Sequence, residues 1–288
     1  MSAIKYRSYL PGDEQQIVHL WNRSLAKDPI TPLRFRKLVL LDPNFDPQGM
    51  RLAVCDDQIV GCLYVVRRKL PMIGTELETD RGWIPFFFVD PQYRRRGIAS
   101  QLLTDAVTFL RNHGRKKVFF SAYAPNYIVP GIDRDMYPKG SAFLDHAGFE
   151  VQYTSVAMDY SLVGFEIPED VVLLKEERIR EGYSFSLVQN LNMSQILIAR
   201  HHEKLVGFCL FGGYEGIRER FGPFGVDPDE RGKGIGKILL YDCLKLMQSH
   251  GLHGAWFLWT GEESPAGHLY KKAGFHITRS FDIVCKQI

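Results

Sequence analysis

The stretch VDPQYRRRGIASQLL, from Val89 to Leu103, returns as VDPDERGKGIGKILL, from Val226 to Leu240. The offset is 137 residues, and at that offset Val89, Asp90, Pro91, Arg94, Gly97, Ile98, Leu102, Leu103, Asp105, His113 and Gly114 each meet an identical residue. A period this long marks a duplicated domain rather than a solenoid repeat. The copy extends in both directions once the offset is allowed to slip. Ala53 and Gly61 of LAVCDDQIVGCLYVV match Ala199 and Gly207 of IARHHEKLVGFCLF, and FLDHAGF, ending at Phe149, matches LYKKAGF, ending at Phe275. Whatever one half folds into, the other is expected to fold into as well, with the changes of spacing falling in loops.

Within each half, strands alternate with helices. Residues 52–54 and 59–66 are apolar runs joined by the polar turn Asp56-Asp57-Gln58, and 84–89 is a third, so strands are expected there. From Gly97 to Arg111 the apolar residues Ile98, Leu102, Leu103, Ala106, Val107 and Leu110 recur at helical spacing, and Gly114 stands where a helix would end. Residues 118–123 form the next expected strand and 141–147 a short helix stopped by Gly148. The second half gives strands at 195–199, 205–211, 221–226 and 255–259, and helices at 234–250 and 265–273. A strand at 4–9 and helices at 13–24 and 32–41 precede the first copy; a helix at 168–180 and a strand at 183–188 precede the second. The expected fold is α/β with a mixed sheet, in two tandem domains of residues 1–163 and 168–288, the second shorter.

A chain of 288 residues with 45% hydrophobic and 24% charged residues can bury its cores without metal or disulfide staples. Its five cysteines, Cys55, Cys62, Cys209, Cys243 and Cys285, form no CxxC pair, which fits a reducing compartment. The net charge of +3 is spread along the chain and argues against a nucleic-acid-binding face. The N-terminal MSAIKYRSYLPGDEQQ lacks the apolar core of a signal peptide, and no run approaches the roughly 18 to 20 apolar residues of a membrane span. A cytoplasmic protein is expected, monomer or homodimer, with neither nucleic acid nor membrane as partner.

The repeated string also carries chemistry. A strand ends at Val89, a tight loop follows, and a helix begins near Gly97. Helix N-termini present unpaired N–H groups and the positive end of the dipole, a seat for an anion. Small residues at Gly97 and Ala99 allow close approach to the backbone, and Arg94, Arg95 and Arg96 add attraction and hydrogen bonds for phosphate. Arg231, Gly232, Lys233, Gly234, Ile235 and Gly236 repeat the arrangement. Neither GxxxxGK[ST] nor GxGxxG is present, so a Walker loop and a dinucleotide fingerprint are excluded.

In these two strings the chain resembles the GCN5-related N-acetyltransferases (GNAT), whose motif is [RQ]-x-x-G-x-[GA] after a strand; LYKKAGF resembles that family's second signature. The resemblance implies a tandem, two-domain member. It implies acetyl-CoA as co-substrate and a small-molecule amine as acceptor. It also implies a sheet that splays between its fourth and fifth strands to admit the pantetheine arm. Cofactor contacts are then expected from Val89, Arg94, Arg95, Arg96, Gly97, Ile98, Ala99 and Asn126, and from Val226 and residues 231–236. The thioester oxygen would be held by backbone N–H groups near Phe88-Val89 and Gly225-Val226.

The resemblance further implies a tyrosine, four residues before the glycine of AGF, as general acid to the CoA thiolate. That is Tyr270 in the second half; the matching residue of the first is Leu144, which cannot donate. The first half carries about eleven extra residues there, in APNYIVPGIDRDMYPKG, where Tyr137 is a second candidate acid and Asp133 and Asp135 are candidate acceptor contacts. Glu219 is a candidate on the second half's acceptor side. Glu215, Glu262 and Glu263, and in the first half Glu76, Glu78 and Asp80, are alternative bases. His201-His202-Glu203 reads as an exposed turn, and no cluster has metal-ligand spacing. A non-catalytic acyl-CoA sensor or scaffold, with one or both halves degenerate, is the competing reading.

Overall fold

The computed structural model describes residues 3–72, 76–123, 128–189, 195–211 and 219–288. Along the chain run β1 (Lys5–Ser8), α1 (Glu14–Ser24), α2 (Pro32–Phe35), β2 (Met50–Cys55), β3 (Gln58–Val66), β4 (Arg81–Val89), α3 (Ile98–Asn112), β5 (Lys117–Phe120), α4 (Pro138–His146) and β6 (Glu150–Ser161). There follow α5 (Glu169–Arg180), β7 (Tyr183–Gln189), β8 (Gln195–His201), β9 (Lys204–Phe211), β10 (Phe224–Val226), α6 (Ile235–Ser249), β11 (Gly254–Gly261), α7 (Pro265–Ala273) and β12 (His276–Gln287). The chain divides into two compact units, Met1–Ser155 with Ser280–Ile288, and Val156–Arg279.

In the first unit the strand order is β1-β2-β3-β4-β5-β12. Neighbours are antiparallel except β4 and β5, which are parallel. Alternation along β3 feeds two cores. Cys62, Tyr64 and Val66 join Trp21 of α1, Phe35 of α2, and Phe86 and Phe88 of β4; Leu63 and Val65 join Leu102, Ala106 and Leu110 of α3 and Leu144 of α4. These are opposite faces of one sheet, because successive side chains of a strand point to opposite sides.

The parallel pairing of β4 with β5 covers only Arg81–Ile84 against Lys117–Phe120. β4 continues to Val89 with β3 on its other side, so Pro85 to Val89 have lost their β5 neighbour. The β3–β4 register slips at the same place: Tyr64 faces Phe86, yet Val66 faces Trp83. Pro85, with no N–H to give a ladder, sits in that bulge, where proline is tolerated. Among the described residues the two strands are paired no further than Ile84, which is where the expected splay would lie.

The second unit has a four-stranded antiparallel sheet, β10-β9-β8-β7. Its core joins Val206, Cys209 and Phe211 of β9 to Leu239, Leu240 and Leu244 of α6. Parallel contact with β11 is again brief: Arg220 bridges Trp256, with the Phe221 amide donating to Trp256 O at 3.2 Å. The repeated glycines Gly61 and Gly207 have one explanation. A Cβ at Gly61 would lie 2.9 Å from Ile98 Cγ2, and one at Gly207 2.8 Å from Leu239 Cδ1. Each glycine lets its helix press onto the sheet.

The division differs from the expected limits of 1–163 and 168–288. The chain changes unit inside β6, and its last nine residues leave the second unit to join the first. Val284, Cys285, Lys286 and Gln287 of β12 lie opposite Phe120, Phe119, Val118 and Lys117 of β5. Neither β6 nor β12 was among the expected strands.

Candidate functional site

The same turn is built at the ends of β4 and β10. The Asp90 amide donates to Val60 O (2.9 Å) and its carboxylate accepts from the Gln92 amide (2.9 Å). Asp227 does likewise with Val206 O (2.8 Å) and the Asp229 amide (3.0 Å). The repeated Val-Asp-Pro thus turns the chain from sheet to helix. Two residues per unit then adopt left-handed backbone before the helix: Arg95 and Gly97 with φ of 64° and 76°, Gly232 and Gly234 with 82° and 81°. Arg95 stands where the second copy has glycine and bears the Cβ penalty of that region. Arg95→Gly is expected to stabilise the first unit by about 0.5–1 kcal/mol, the gain being offset in part by unfolded-state entropy; thermal unfolding measures it.

The two helix starts differ in what lies over them. A Cβ on Gly97 would meet no described residue within 4 Å, whereas one on Gly234 would lie 2.6 Å from Leu174 Cδ2 of α5. The Lys237–Asp170 (2.5 Å) and Lys175–Asp242 (2.7 Å) ion pairs hold α5 along α6. Among the described residues the helix start at Gly97 is open and that at Gly234 is covered by its own unit, although a Cβ on Gly232 in the same loop would also meet no described residue within 4 Å.

The cationic residues also divide. Arg94 reaches back, its Nε donating to Val89 O (3.1 Å) and its Nη2 to Ser24 O (3.4 Å). Arg96 lies over the Tyr93 ring, 4.9 Å from its centroid. Arg95 is exposed on the loop. Ile98 and Ile235 bury their side chains under the helices, so only their backbones face the loop. Ala99 packs against the α3-side core, and Gly236 lies 3.5–3.6 Å, measured from a built Cβ, from Phe224, Val226 and Leu269. Lys233, expected on phosphate, pairs with Glu230 at 2.9 Å. Arg231 and Gly232 complete that loop, and Asn126 lies outside the described residues.

Glu230 is 7% exposed and accepts from Tyr183 Oη (2.5 Å) as well as Lys233, with His201 Nδ1 at 3.4 Å. His201 is therefore part of this network rather than of a bare turn; its ring stacks on Tyr183 at 4.1 Å. The Tyr183 and Lys233 hydrogen bonds hold the Glu230 carboxyl down to about 2 from its ordinary 4.5. A depressed carboxylate stabilises the fold above its unfolded value and loses that contribution as pH falls through the folded one. Glu230→Gln is expected to lower the melting temperature at neutral pH and to flatten the acid dependence between about 4.5 and 2, read by melting across pH.

Tyr270 is 5% exposed, its ring 4.3 Å from Phe257 and 5.5 Å from Phe275. Burial, with Cys209 and Cys243 adding to it, raises its phenol well above the usual range, so it keeps its proton. Leu144, its counterpart, is buried in the α3-side core. Tyr137 caps the start of α4 and donates to Asp28 Oδ2 at 2.6 Å. Asp133, expected to face an acceptor, is 3% exposed and accepts from the Asp135 and Met136 amides (3.1 and 2.9 Å), closing a turn; Asp135 is exposed.

Glu219 is partly exposed, and its carbonyl holds the Trp256 amide at 3.0 Å. Of the other carboxylates, Glu78 pairs with Arg68, Asp80 with Lys117, and Glu262 and Glu263 with Lys271, which gives each a structural partner. Glu215 lies outside the described residues. Among the described residues no group of three His, Cys, Asp or Glu is placed to hold a metal, and no helix is long and apolar enough to cross a membrane.

Comparison with known proteins meets this geometry. The GNAT acetyltransferase family model matches residues 15–129, and a GNAT acetyltransferase domain model matches 192–277. A curated mycothiol acetyltransferase from Arthrobacter sp. (strain FB24) is 36% identical over 64 residues, a stretch that is 22% of this chain and only 20% of that protein. A tandem GNAT protein from the clavulanic acid biosynthesis pathway, solved without acetyl-CoA, superposes with a TM-score of 0.69 at 14% identity, covering 99% of this chain and 98% of that one. A GCN5-related glucosamine N-acetyltransferase region of a fungal multi-domain β-N-acetylglucosaminidase gives 0.79 at 15% identity, over 99% of this chain and 38% of that one. A GCN5-related N-acetyltransferase from Sphaerobacter thermophilus gives 0.62 at 16% identity, over 99% and 95%.

Proposed function

Since the chain belongs to the GNAT acetyltransferase family, with a domain of that family in each half, we propose that it transfers the acetyl group of acetyl-CoA to a primary amine of a small molecule, and that the first unit does so. The observation that carries this reading is the open helix start at Gly97, set beside a parallel strand pair that separates after Ile84. The amides at the start of α3 would take the pyrophosphate, with Arg95 and Arg96 as neighbouring cations. Backbone N–H groups of β4 between Phe86 and Val89, unpaired toward β5, are available to the thioester oxygen as its charge develops. The acceptor must attack as a neutral amine, so a protein group or water must receive its proton.

The covered cradle favours a second role for the second unit. Leu174 over Gly234, and Glu230 holding Lys233, leave less room and less charge for a pyrophosphate. We assign that unit a scaffold role; on this reading Tyr270 packs an aromatic core. On this reading it acts in the cytoplasm, as monomer or homodimer, without nucleic acid or membrane as partner. The test is release of CoA thiol from acetyl-CoA in the presence of glucosamine, alkylamines and amino-acid amides, with the acetylated product identified by mass. Glucosamine comes first because one structural neighbour is named for it. Binding of acetyl-CoA without thiol release for any amine would make the chain a sensor instead.

A further inference from the structure

We infer that Asp28 and Tyr137 are the proton-carrying pair of the first unit: Asp28 takes the proton that the acceptor amine gives up, and Tyr137 delivers one to the departing thiolate. This rests on the acetyl-transfer reading above and names the groups that reading lacks.

Placement carries the inference. The Tyr137 ring packs with the α3-side core, and the first turn of α4 that it caps lies on β4: Phe143 is 5.4 Å from Phe87, and a Cβ on Gly140 would be 3.8 Å from the Phe87 ring. Phe87 belongs to the stretch of β4 that has lost β5. Asp28 comes from the opposite face. It lies in the loop between α1 and α2, where the Trp21 indole donates to its carbonyl at 2.7 Å, and Trp21 belongs to the α1-side core. The 2.6 Å hydrogen bond from Tyr137 to Asp28 therefore joins the two faces of the sheet. Both partners flank the stretch of β4 beyond Ile84, Asp28 through Trp21, whose ring lies 4.6 Å from Phe86 and 5.5 Å from Phe88, and Tyr137 through α4 against Phe87, and on the acetyl-transfer reading amine and thioester meet beside that stretch. The phosphate loop adjoins the same segment: Arg94 donates to Ser24 O at the end of α1, and Arg23 pairs with Asp90.

The chemistry closes on itself. The amine nitrogen forms a bond to the thioester carbonyl carbon, the C–S bond breaks, and its electron pair leaves on sulfur. The amine attacks as the neutral base, its ammonium proton having already passed to water, and the proton that its nitrogen sheds on acylation goes to Asp28. The hydrogen bond then reverses, Asp28 donating to the phenol oxygen, while the Tyr137 proton goes to sulfur. Passage of the proton from Asp28 to Tyr137 restores both groups, so no external acid, base or oxidant enters the balance. An acceptor, a carboxylate and a phenol in line are the parts that general acid–base transfer requires.

The test is Asp28→Asn and Tyr137→Phe in the full chain, with acetyl-CoA affinity read by calorimetry and kcat and KM by thiol release. Acceptors are an alkylamine and an O-alkylhydroxylamine, whose nitrogen is acidic enough after attack to give its proton to water without a protein base. Asp28→Asn is expected to lower kcat for the alkylamine about 100-fold or more, to affect the hydroxylamine far less, and to leave acetyl-CoA affinity unchanged. Tyr137→Phe is expected to lower kcat for both acceptors. A merely structural pair would not separate the two amines. The inference is overturned if Asp28→Asn turns over both acceptors within about threefold of wild type, or if both variants lose acetyl-CoA affinity. Failure of the wild-type chain to bind acetyl-CoA would overturn the acetyl-transfer reading and this one with it, which the calorimetric arm registers separately.

Discussion

Gly97→Glu is expected to abolish acetyl-CoA binding, with a loss of at least about 100-fold, while Gly234→Glu leaves affinity unchanged and the stoichiometry of the wild-type chain is one. Three effects add at Gly97. Its φ of 76° is disfavoured for any residue with a Cβ, at roughly 1–2 kcal/mol. The new side chain enters the space, clear of described residues to 4 Å around a built Cβ, that a phosphate would fill. A carboxylate there also takes up the dipole and amides that would meet the ligand. Gly97→Ala separates strain from charge and is expected to weaken binding far less. At Gly234 the same change drives into Leu174 at 2.6 Å, so the expected effect is a lowered melting temperature, about 1–3 kcal/mol of overpacking, with no change in acetyl-CoA titration. Two equivalents bound would mean that both cradles hold acetyl-CoA and would end the scaffold assignment of the second unit, and loss of binding from Gly234→Glu alone would move the reaction there and bring Tyr270 back as its acid.

The contrast between the copies marks what could be read in the sequence. The strand-turn-helix of each half was legible because local chemistry dictates it: Asp90 and Asp227 turn the chain with their own carboxylates, and Gly97 and Gly234 supply left-handed backbone. What distinguishes the halves was not legible, because it comes from residues distant in sequence. Leu174 is sixty positions from Gly234, and nothing in EDVVLLKEERIR says which leucine will cover a helix start. Motif identity favoured the second half through Tyr270, but packing favours the first. The arginine run likewise looked like three phosphate ligands, although Arg94 is engaged by the carbonyls of Val89 and Ser24. Asp28 carries no signal at all in the sequence, since a lone aspartate in a polar loop acquires meaning only when Tyr137 is folded against it.

The end of the chain gives the second large effect. Deleting Ser280–Ile288 is expected to unfold the first unit and abolish acetyl-CoA binding, although the deletion lies over 180 residues from Gly97 in sequence. The nine residues belong to that unit. They close the free edge of β5 through the register of Val284 to Gln287, and Val284, fully buried, contributes about 1.5–3 kcal/mol by its side chain alone. The amides and carbonyls of Ile132 and Asp282 pair reciprocally at 2.9 Å, Asp282 also holds Arg134 and Thr154, and the Lys286 ammonium donates to Ala147 O at 2.5 Å. Removing them leaves an unpaired parallel strand and the buried Ile132 amide and carbonyl without their partners, each costing about 1–3 kcal/mol, against a net domain stability of roughly 5–15 kcal/mol. The Ile132–Arg134 segment leads directly to Tyr137, so loss of the strand reaches the site before it reaches the core. No strand was expected over β12, and its partner is set by tertiary register, which is why a boundary drawn from the repeat assigned it to the second domain. Thermal unfolding of the truncated chain should therefore lose the transition that acetyl-CoA stabilises and keep the other, and a nine-residue peptide of the deleted sequence should restore part of it. A truncated chain that melts like wild type and still binds acetyl-CoA would mean that β5 tolerates an open edge and that the first unit is complete at Ser155.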